Sequence, residues 1–298
     1  MLALTGASGW IGNNAIQASK ELDENGHINK DMILYTSKNK EIKLPFICKS
    51  LDTYDLCSLK KSTNITRIIH TAFIRSVLKA KYSLEQYISL NRQITDEIVY
   101  TLKKYPKIPI ISISSGVARD CDKNDDISIN PYAFLKNEEE KRLQDLSSDR
   151  MVLVFRVYAC TGPFLRLPTH YALGQFLQNA LDNKEIQINS TKRILRSYVF
   201  LPDLMSLSLK ILDSPLANGY YLIDAVTHKL ELGELARVIC NNINNVGIKR
   251  PNLSKETSSY CADSMEFIQL AKRYNQNITS IDEQIKITAE KIIYSKSN

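Results

Sequence analysis

The chain has 298 residues, 44% of them hydrophobic and 24% charged, so it is long enough to bury a large core as one domain or two smaller ones. Its formal net charge of +7 comes from basic residues mixed with acidic ones, a pattern that disfavours a nucleic-acid surface and favours a small polyanion as partner. No run of about 18 apolar residues predicts a membrane span, and six scattered cysteines without a CxxC pair disfavour a disulfide framework or a metal site.

Short apolar runs alternate with helical patterns over the first part of the chain. Predicted strands cover residues 2–5, 32–36, 67–72, 108–114 and 151–158, and predicted helices between them cover residues 13–22, 84–105 and 132–146. This alternation is typical of βαβ units and predicts an α/β fold with a doubly wound, parallel sheet of the Rossmann type. The first strand begins where the basic part of a secretory signal would lie, so we expect a cytoplasmic location.

The alternation weakens after about residue 160, which predicts a second, smaller α/β lobe. Two later segments, 196–204 and 219–224, are expected to return strands to the first sheet. We therefore expect a first domain over residues 1–160, with strands returned from about 195–225, and a C-terminal lobe over residues 161–298.

Three glycines follow the first predicted strand in the stretch TGASGWIG, at Gly6, Gly9 and Gly12. A strand-to-helix turn without Cβ atoms lets a pyrophosphate approach the N–H groups at the start of a helix. The spacing is GxxGxxG rather than the commoner GxGxxG, and a tight turn without a ligand is the alternative. Its place between a strand and a helix favours a dinucleotide site that also includes Ser8, Trp10 and Ile11.

Tyr132 and Lys136 lie four residues apart in a predicted helix, which places both side chains on one face. An ammonium beside a phenol favours the phenolate, so this tyrosine is suited to exchange a proton with an alcohol. A Tyr-x-x-x-Lys pair alone is more often an exposed helix face. The preceding strand, which ends in ISISS, favours the catalytic interpretation.

Six stretches occur in an order that resembles the extended short-chain dehydrogenases, the NAD-dependent epimerase/dehydratase family. They are TGASGWIG (5–12), HTAF (70–73), ISISSG (111–116), NPYAFLK (130–136), RVYACTGP (156–163) and RSYVFLPDL (196–204), with a weaker echo in YCADS (260–264). The resemblance implies an NAD(P)-binding first domain and a substrate-binding second lobe. It also implies that Tyr132 acts as acid or base while hydride moves to or from a nicotinamide.

The family places a serine or threonine at the end of the strand before the tyrosine helix. Counting back from Val117 selects Ser114, which we prefer slightly, whereas matching SSG selects Ser115. The dehydratases of the family carry an Asp–Glu pair directly afterwards, and its absence here argues against dehydration. Asn91 matches an asparagine that supports the lysine, and the alternative is a buried asparagine that satisfies backbone groups.

The choice of cofactor depends on the residues after the second strand, which are Thr36, Ser37 and Lys38. NAD enzymes usually place a carboxylate there, and hydroxyls with an ammonium suit a 2′-phosphate better, so we predict NADP in preference to NAD. A solvated polar turn is the alternative. The resemblance adds further cofactor contacts at Leu51, Thr71, Ala72 and Phe73, and it places His70 at a strand end beside the cofactor.

The resemblance also implies a nucleoside-diphosphate sugar as substrate, with Arg196 against the diphosphate. Ala159 stands where the family has an asparagine that contacts sugar or phosphate, so the sugar site is expected to differ. The reaction implied is 4-epimerisation or reduction of a 4-keto sugar. A ketoreductase of a non-nucleotide small molecule and a non-catalytic NADP-binding sensor remain alternatives.

The family commonly dimerises through the helices that hold Asn91 and Tyr132, so we expect a homodimer. Apolar positions that could serve this contact are Leu84, Ile88, Ile94, Ile98 and Leu102. The alternative is that these side chains pack inside the protein.

Overall fold

The structure, a computed structural model, describes residues 1–22, 31–42, 51–75, 81–123, 127–165 and 171–297. The chain forms two compact units. The first consists of Met1–Arg156 and Ser206–Ile223, and the second of Val157–Met205 and Asp224–Asn298. In the described ranges, no helix is both long and apolar enough to cross a membrane.

The first half of the chain forms strands and helices in alternation, as the sequence predicts. In chain order these are β1 (Leu2–Thr5), α1 (Trp10–Leu22), β2 (Met32–Thr36), β3 (Lys40–Ile42), β4 (Leu51–Asp55), β5 (Arg67–His70), α2 (Leu84–Lys104), β6 (Ile110–Ser115), α3 (Pro131–Gln144) and β7 (Met151–Val157). Local sequence sets the helix starts: Ser83 and Gln86 form a capping box before α2, and the side chain of Asn130 accepts from the N–H of Ala133 in α3.

The second half contains shorter strands. In chain order its elements are β8 (Ala159–Thr161), α4 (Ala172–Leu181), β9 (Ile186–Gln187), β10 (Arg193–Phe200), α5 (Leu201–Asp213), β11 (Gly219–Ala225), β12 (His228–Glu231), α6 (Leu232–Asn242), β13 (Ile248–Lys249), β14 (Thr257–Tyr260), α7 (Met265–Arg273) and α8 (Ile281–Ser297).

Within the described residues, one large sheet has eight strands in the order β11-β7-β6-β5-β1-β2-β4-β3. Strand β1 pairs in parallel with β2 and β5, and β5 with β6, whereas β3 forms an antiparallel edge on β4. This is the predicted α/β fold with a mostly parallel, Rossmann-type sheet. The strand order reverses at β1, and the crevice beyond its carboxyl end is where such folds bind ligands.

One core cluster of the first unit lies between the sheet and helices α2 and α3. Its members are buried apolar side chains, among them Ala3, Tyr35, Ile68, Ile98, Leu102, Ile110, Leu143 and Val152. Ile98 and Leu102, which the sequence made available for a dimer contact, are therefore used inside this core. Ile94 also packs against it.

The second unit differs from the sequence-based expectation in one strand. Residues 219–225 do return β11 to the large sheet, as predicted. Segment 196–204 does not, because β10 pairs with β12, β14 and β8 in a separate sheet and the chain then turns into α5. The chain also leaves the first unit at Arg156 rather than at residue 160.

Candidate active site

The glycine-rich turn after β1 is folded tightly around its three glycines. Gly6 has a φ of 71°, and a Cβ there would lie 2.7 Å from the backbone N of Ala72. A Cβ on Gly12 would lie 2.3 Å from the carbonyl oxygen of Gly6. The N–H of Gly9 donates to that same oxygen at 2.8 Å, and α1 begins at the next residue. Side chains at Gly6 and Gly12 would block this path, which brings the start of α1 to the surface where an anion such as a pyrophosphate could approach.

A second predicted cofactor segment, 71–73, lies against this turn. The backbone N and side-chain hydroxyl of Thr71 both donate to the carbonyl oxygen of Thr5, at 3.2 and 2.8 Å. Gly6 therefore packs directly on Thr71 and Ala72. The structure thus brings together two of the segments that the sequence predicts to contact a dinucleotide.

The turn after β2 carries the residues predicted to choose between NAD and NADP. Thr36 is buried, and its hydroxyl donates to the carbonyl oxygen of Lys38 at 2.6 Å and lies 2.9 Å from the hydroxyl of Thr53. Ser37 and Lys38 are exposed. Thr36 therefore shapes the turn, whereas Ser37 and Lys38 have side chains that solvent or a ligand can reach.

The structure places Leu51, a predicted cofactor contact, away from the carboxyl edge of the large sheet. Leu51 begins β4, which runs parallel to β2 with Thr36 opposite Asp55. Leu51 therefore lies at the amino end of its strand, about 13 Å of extended chain from the carboxyl edge. Asp55 occupies that edge, and its carboxylate accepts from the N–H of Cys57 at 2.9 Å.

Tyr132 and Lys136 meet at one aromatic ring. The ring of Tyr132 approaches Phe73 edge-on with centroids 5.5 Å apart, and the Lys136 Nζ lies 4.1 Å from the Phe73 centroid. Lys136 is only 3% exposed, and its Nζ donates to the carbonyl oxygen of Ile113 at 2.9 Å and to Glu139 Oε1 at 3.2 Å. The two predicted catalytic side chains and the predicted cofactor residue Phe73 thus form one group.

A buried carboxylate that the sequence analysis missed joins this group. Glu139 accepts from Ser112 at 3.0 Å and from Lys136, and its Oε2 lies 3.6 Å from Nε2 of His70. The other ring nitrogen of His70 lies 2.7 Å from the hydroxyl of Thr5. Burial raises the pKa of Glu139, but Lys136, His70 and Ser112 outweigh it and hold that pKa at about 2. Glu139 is therefore ionised at neutral pH.

The two candidate serines lie at the end of β6. Ser114 donates to Glu140 Oε1 at 2.5 Å, and the same carboxylate accepts from Arg156 at 3.0 and 2.6 Å. Ser115 is the last residue of β6, and its side chain points to the opposite face of the strand from that of Ser114. Ser114 would have to leave Glu140 to donate its proton to a substrate.

Asn91 bonds backbone groups in the structure. Its Oδ1 accepts from the N–H of Ile74 at 2.8 Å, and its Nδ2 donates to the carbonyl oxygen of Tyr87 at 3.0 Å. These contacts correspond to the alternative role of Asn91, in which a buried asparagine satisfies backbone groups. They tie α2 to the residue that follows Phe73.

The predicted substrate residues lie in the second unit. Arg196 on β10 stands between Leu230 and Tyr260 of the neighbouring strands, and its Nη1 donates to the carbonyl oxygens of Leu195 and Ser258 at 2.8 and 3.3 Å. Ala159 on β8 lies opposite Tyr198, two residues further along β10.

A cavity of about 560 Å³ opens in this same unit. Part of its wall is the stretch YCADS, through Cys261 and Asp263, and another part is His228. Burial lowers the pKa of His228, and Asp282 opposes that shift. The segment YCADS, which weakly resembles a family motif, therefore forms part of the wall of this cavity.

Comparison with known proteins places this fold and motif series in one family. A family model described as the NAD dependent epimerase/dehydratase family matches residues 2–223. A search of the curated proteins finds no match.

Solved structures resemble the whole chain at low identity. A UDP-N-acetylglucosamine 4-epimerase of Methanobrevibacter ruminantium M1, in complex with UDP-N-acetylmuramic acid, has a TM-score of 0.77 and 16% identity over 99% of this chain and 98% of that one. A UDP-glucose 4-epimerase of Thermotoga maritima with UDP-glucose has a TM-score of 0.74 and 15% identity, over 99% of both chains. A UDP-glucuronic acid 4-epimerase of Bacillus cereus with UDP-glucuronic acid and NAD has a TM-score of 0.72 and 14% identity, over 100% and 99%.

These likenesses concern the fold, whereas the family model matches the sequence itself. The match covers well over half of the 298 residues and includes the glycine turn and the Tyr132–Lys136 pair. The chain belongs to the NAD dependent epimerase/dehydratase family.

Proposed function

We propose that the protein is an NAD(P)-dependent oxidoreductase that acts on a nucleoside-diphosphate sugar through a 4-keto species, as a 4-epimerase or a 4-ketoreductase. The observation that carries the proposal is the convergence of Tyr132 and Lys136 on Phe73, beside the glycine turn. The three structural neighbours described above are named as UDP-sugar 4-epimerases, which agrees with this reaction.

The first unit would hold a dinucleotide, which supplies the redox chemistry when bound. The backbone at Gly6, Gly9 and Gly12 and the start of α1, with Ser8, Trp10 and Ile11, would face its pyrophosphate. Residues 71–73 would line the same cleft. Asn91 keeps that segment in place through Ile74.

The Tyr132 hydroxyl would exchange a proton with the sugar oxygen, and Lys136 would stabilise the phenolate and fix its position. Ser114 or Ser115 would donate a hydrogen bond to the same oxygen. Comparing Ser114→Ala with Ser115→Ala decides between them, because the catalytic serine is the one whose loss lowers kcat more than it raises KM.

We propose that the dinucleotide is NADP in preference to NAD, although the family is described as NAD dependent. The support is that exposed Ser37 and Lys38, rather than a carboxylate, follow β2. Lys38→Glu should lower the ratio of NADP to NAD affinity about tenfold, whereas Lys103→Glu on α2, with the same change of net charge, should leave it unchanged. An unaltered ratio in the Lys38 variant would refute the preference.

Arg196 is proposed to bind the diphosphate of the substrate, since a guanidinium fork suits paired phosphate oxygens. Arg196→Lys should then raise KM for a UDP-sugar about tenfold with little change in kcat. Equal KM values in the wild-type protein and Arg196→Lys would show that Arg196 does not bind the substrate. Ala159, where the family has an asparagine, is expected to alter the choice of sugar.

The proposed function is tested by incubating the protein with UDP-glucose, UDP-N-acetylglucosamine or UDP-glucuronic acid in the presence of NAD or NADP, and separately with a 4-keto UDP-sugar in the presence of NADPH, and analysing the sugars by NMR. A 4-epimer formed without net consumption of cofactor identifies an epimerase. Consumption of NADPH with a 4-keto nucleotide sugar identifies a reductase, which the Ser37–Lys38 turn favours because a cofactor used stoichiometrically must exchange. Absence of turnover with every nucleotide sugar would refute the proposal.

A further inference from the structure

We propose that Glu139 is a positioning residue that holds the Lys136 ammonium in a buried ion pair and offsets the positive charge beside Tyr132. The inference deepens the proposed function and rests on it, because Glu139 would act through Lys136. It also bears on the direction of the reaction, since the charge beside a phenol decides how readily the phenol keeps its proton.

Both ions of the Lys136–Glu139 pair are buried. Glu139 is 1% exposed and Lys136 is 3% exposed, so neither ion keeps its hydration. A buried charge is tolerated only when it is paired and hydrogen-bonded. The Lys136 Nζ has Glu139 Oε1 at 3.2 Å, and its other close groups are the Ile113 carbonyl oxygen and the face of Phe73.

Glu139 itself contacts side chains from two strands of the large sheet. Ser112 on β6 donates to Oε1 at 3.0 Å, and His70 on β5 lies 3.6 Å from Oε2. His70 is in turn fixed by Thr5 on β1. The Ser112 hydrogen bond therefore anchors the carboxylate to β6 independently of Lys136, while His70 lies beside the other oxygen without a hydrogen bond, so Glu139 can fix the position of the lysine rather than follow it.

The Lys136–Glu139 pair also sets the net charge near Tyr132. Lys136 and Tyr132 both contact the Phe73 ring, so a change in the net charge at Lys136 acts on the phenol across one aromatic side chain. Among the described residues, the other titratable and charged groups on the elements packed against α3 include His70 on β5, Tyr87 on α2 and the Glu140–Arg156 pair between α3 and β7. Arg92 and Asp96 of α2 pair with Glu138 and Arg142 at the surface, and Arg119 and Asp120 follow β6. Burial and the neighbouring Tyr132 raise the pKa of Tyr87, so it stays neutral.

The consequence is a tyrosine that keeps its proton to higher pH than a lysine alone would allow. A protonated phenol can deliver a proton to a carbonyl oxygen, which is the step that reduction of a 4-keto sugar requires. The ion pair thus favours Tyr132 as an acid at neutral pH.

The experiment measures the titration of Tyr132 directly, without substrate. The tyrosines of the full chain are labelled with ¹³C at Cζ, the Tyr132 signal is identified by its absence in Tyr132→Phe, and its chemical shift is followed against pH. Glu139→Gln keeps the size and hydrogen-bonding capacity of the side chain and removes its charge. We expect the midpoint of Tyr132 to fall by about one pH unit or more in this variant.

Two further variants make the result specific. Glu139→Asp retains the charge but moves it away by one methylene, so the titration midpoint of Tyr132 should lie between the midpoints in wild type and in Glu139→Gln. This variant also provides the test if the glutamine variant does not fold. Glu138→Gln is the matched control, because Glu138 pairs with Arg92 on the protein surface, and its midpoint should stay within about 0.2 of wild type.

Midpoints in Glu139→Gln and Glu139→Asp that equal or exceed that of wild type would overturn the inference. Failure of the proposed function is separate, because it would appear as absence of UDP-sugar turnover by the wild-type protein. The titration decides the role of Glu139 in either case.

Discussion

Replacing Gly12 by alanine should damage the turn that we propose binds the dinucleotide. The added Cβ would lie 2.3 Å from the Gly6 carbonyl oxygen and 2.8 Å from the Cα of Ala7. Both atoms belong to the backbone, so no side-chain rotation can relieve the contact. Ordinary contact begins near 3.4 Å, and α1 would have to move away from the turn by about 1.1 Å.

The expected size of the effect follows from overpacking. Inserting a methyl group into a well-packed site costs about 1–3 kcal/mol, which for a chain of this length lowers the Tm by roughly 2–12 °C. The displacement also separates the start of α1 from the glycine turn, so dinucleotide affinity should fall about tenfold or more, since tenfold corresponds to about 1.4 kcal/mol.

The assay is a titration of the protein with NADPH and with NADH by fluorescence, together with thermal unfolding. Gly247→Ala is the control, because a Cβ there would meet only the flexible Glu185 side chain, at 3.4 Å. A Gly12→Ala protein with wild-type dinucleotide affinity would refute the assignment of this turn, and an unchanged Tm would refute the packing argument.

Two other predictions concern buried ion pairs. Arg156→Met leaves Glu140 buried without its counter-ion and should reduce the free energy of unfolding by about 3–5 kcal/mol, measured in urea, whereas Arg142→Met at the exposed pair with Asp96 should cost less than about 1 kcal/mol. Hydrogen bonds from Arg250 hold the pKa of Glu231 at about 2, despite the opposing effect of burial. Because the folded-state pKa is depressed, this group stabilises the protein above about pH 4.5 and the contribution, roughly 3 kcal/mol, is lost as pH falls towards 2. Urea unfolding at several pH values should therefore show that the difference in the free energy of unfolding between wild type and Glu231→Gln becomes smaller as the pH falls. A difference that does not change with pH would contradict the assignment.

Much of the fold could be predicted because it is encoded in local patterns. The strand at 32–36 and the helix at 84–104 are set by periodicity and by caps such as Ser83. The glycine turn and the four-residue spacing of Tyr132 and Lys136 are likewise local. Each can be recognised from a short stretch of sequence. Strand β10 could not be assigned to its sheet, because pairing with β12 and β14 depends on segments far along the chain.

The buried cluster around Glu139 escaped prediction for a different reason. The run NEEEK (137–141) has charges at consecutive positions, which is typical of a solvated helix face. The structure buries Glu139 and Glu140 because Ser112 and Ser114 face them from β6. Two serines on one face of an otherwise buried strand were the available signal, since buried hydroxyls require partners.

The most direct test of the central claim mixes the protein, loaded with oxidised dinucleotide, with each UDP-sugar in a stopped-flow instrument and follows the absorbance of reduced nicotinamide. We expect a rise in this absorbance with at least one UDP-sugar in the wild-type protein and its loss in Tyr132→Phe, with dinucleotide affinity unchanged. A rise of equal rate in Tyr132→Phe, or none with any nucleotide sugar in a wild-type protein that binds the dinucleotide, would contradict it.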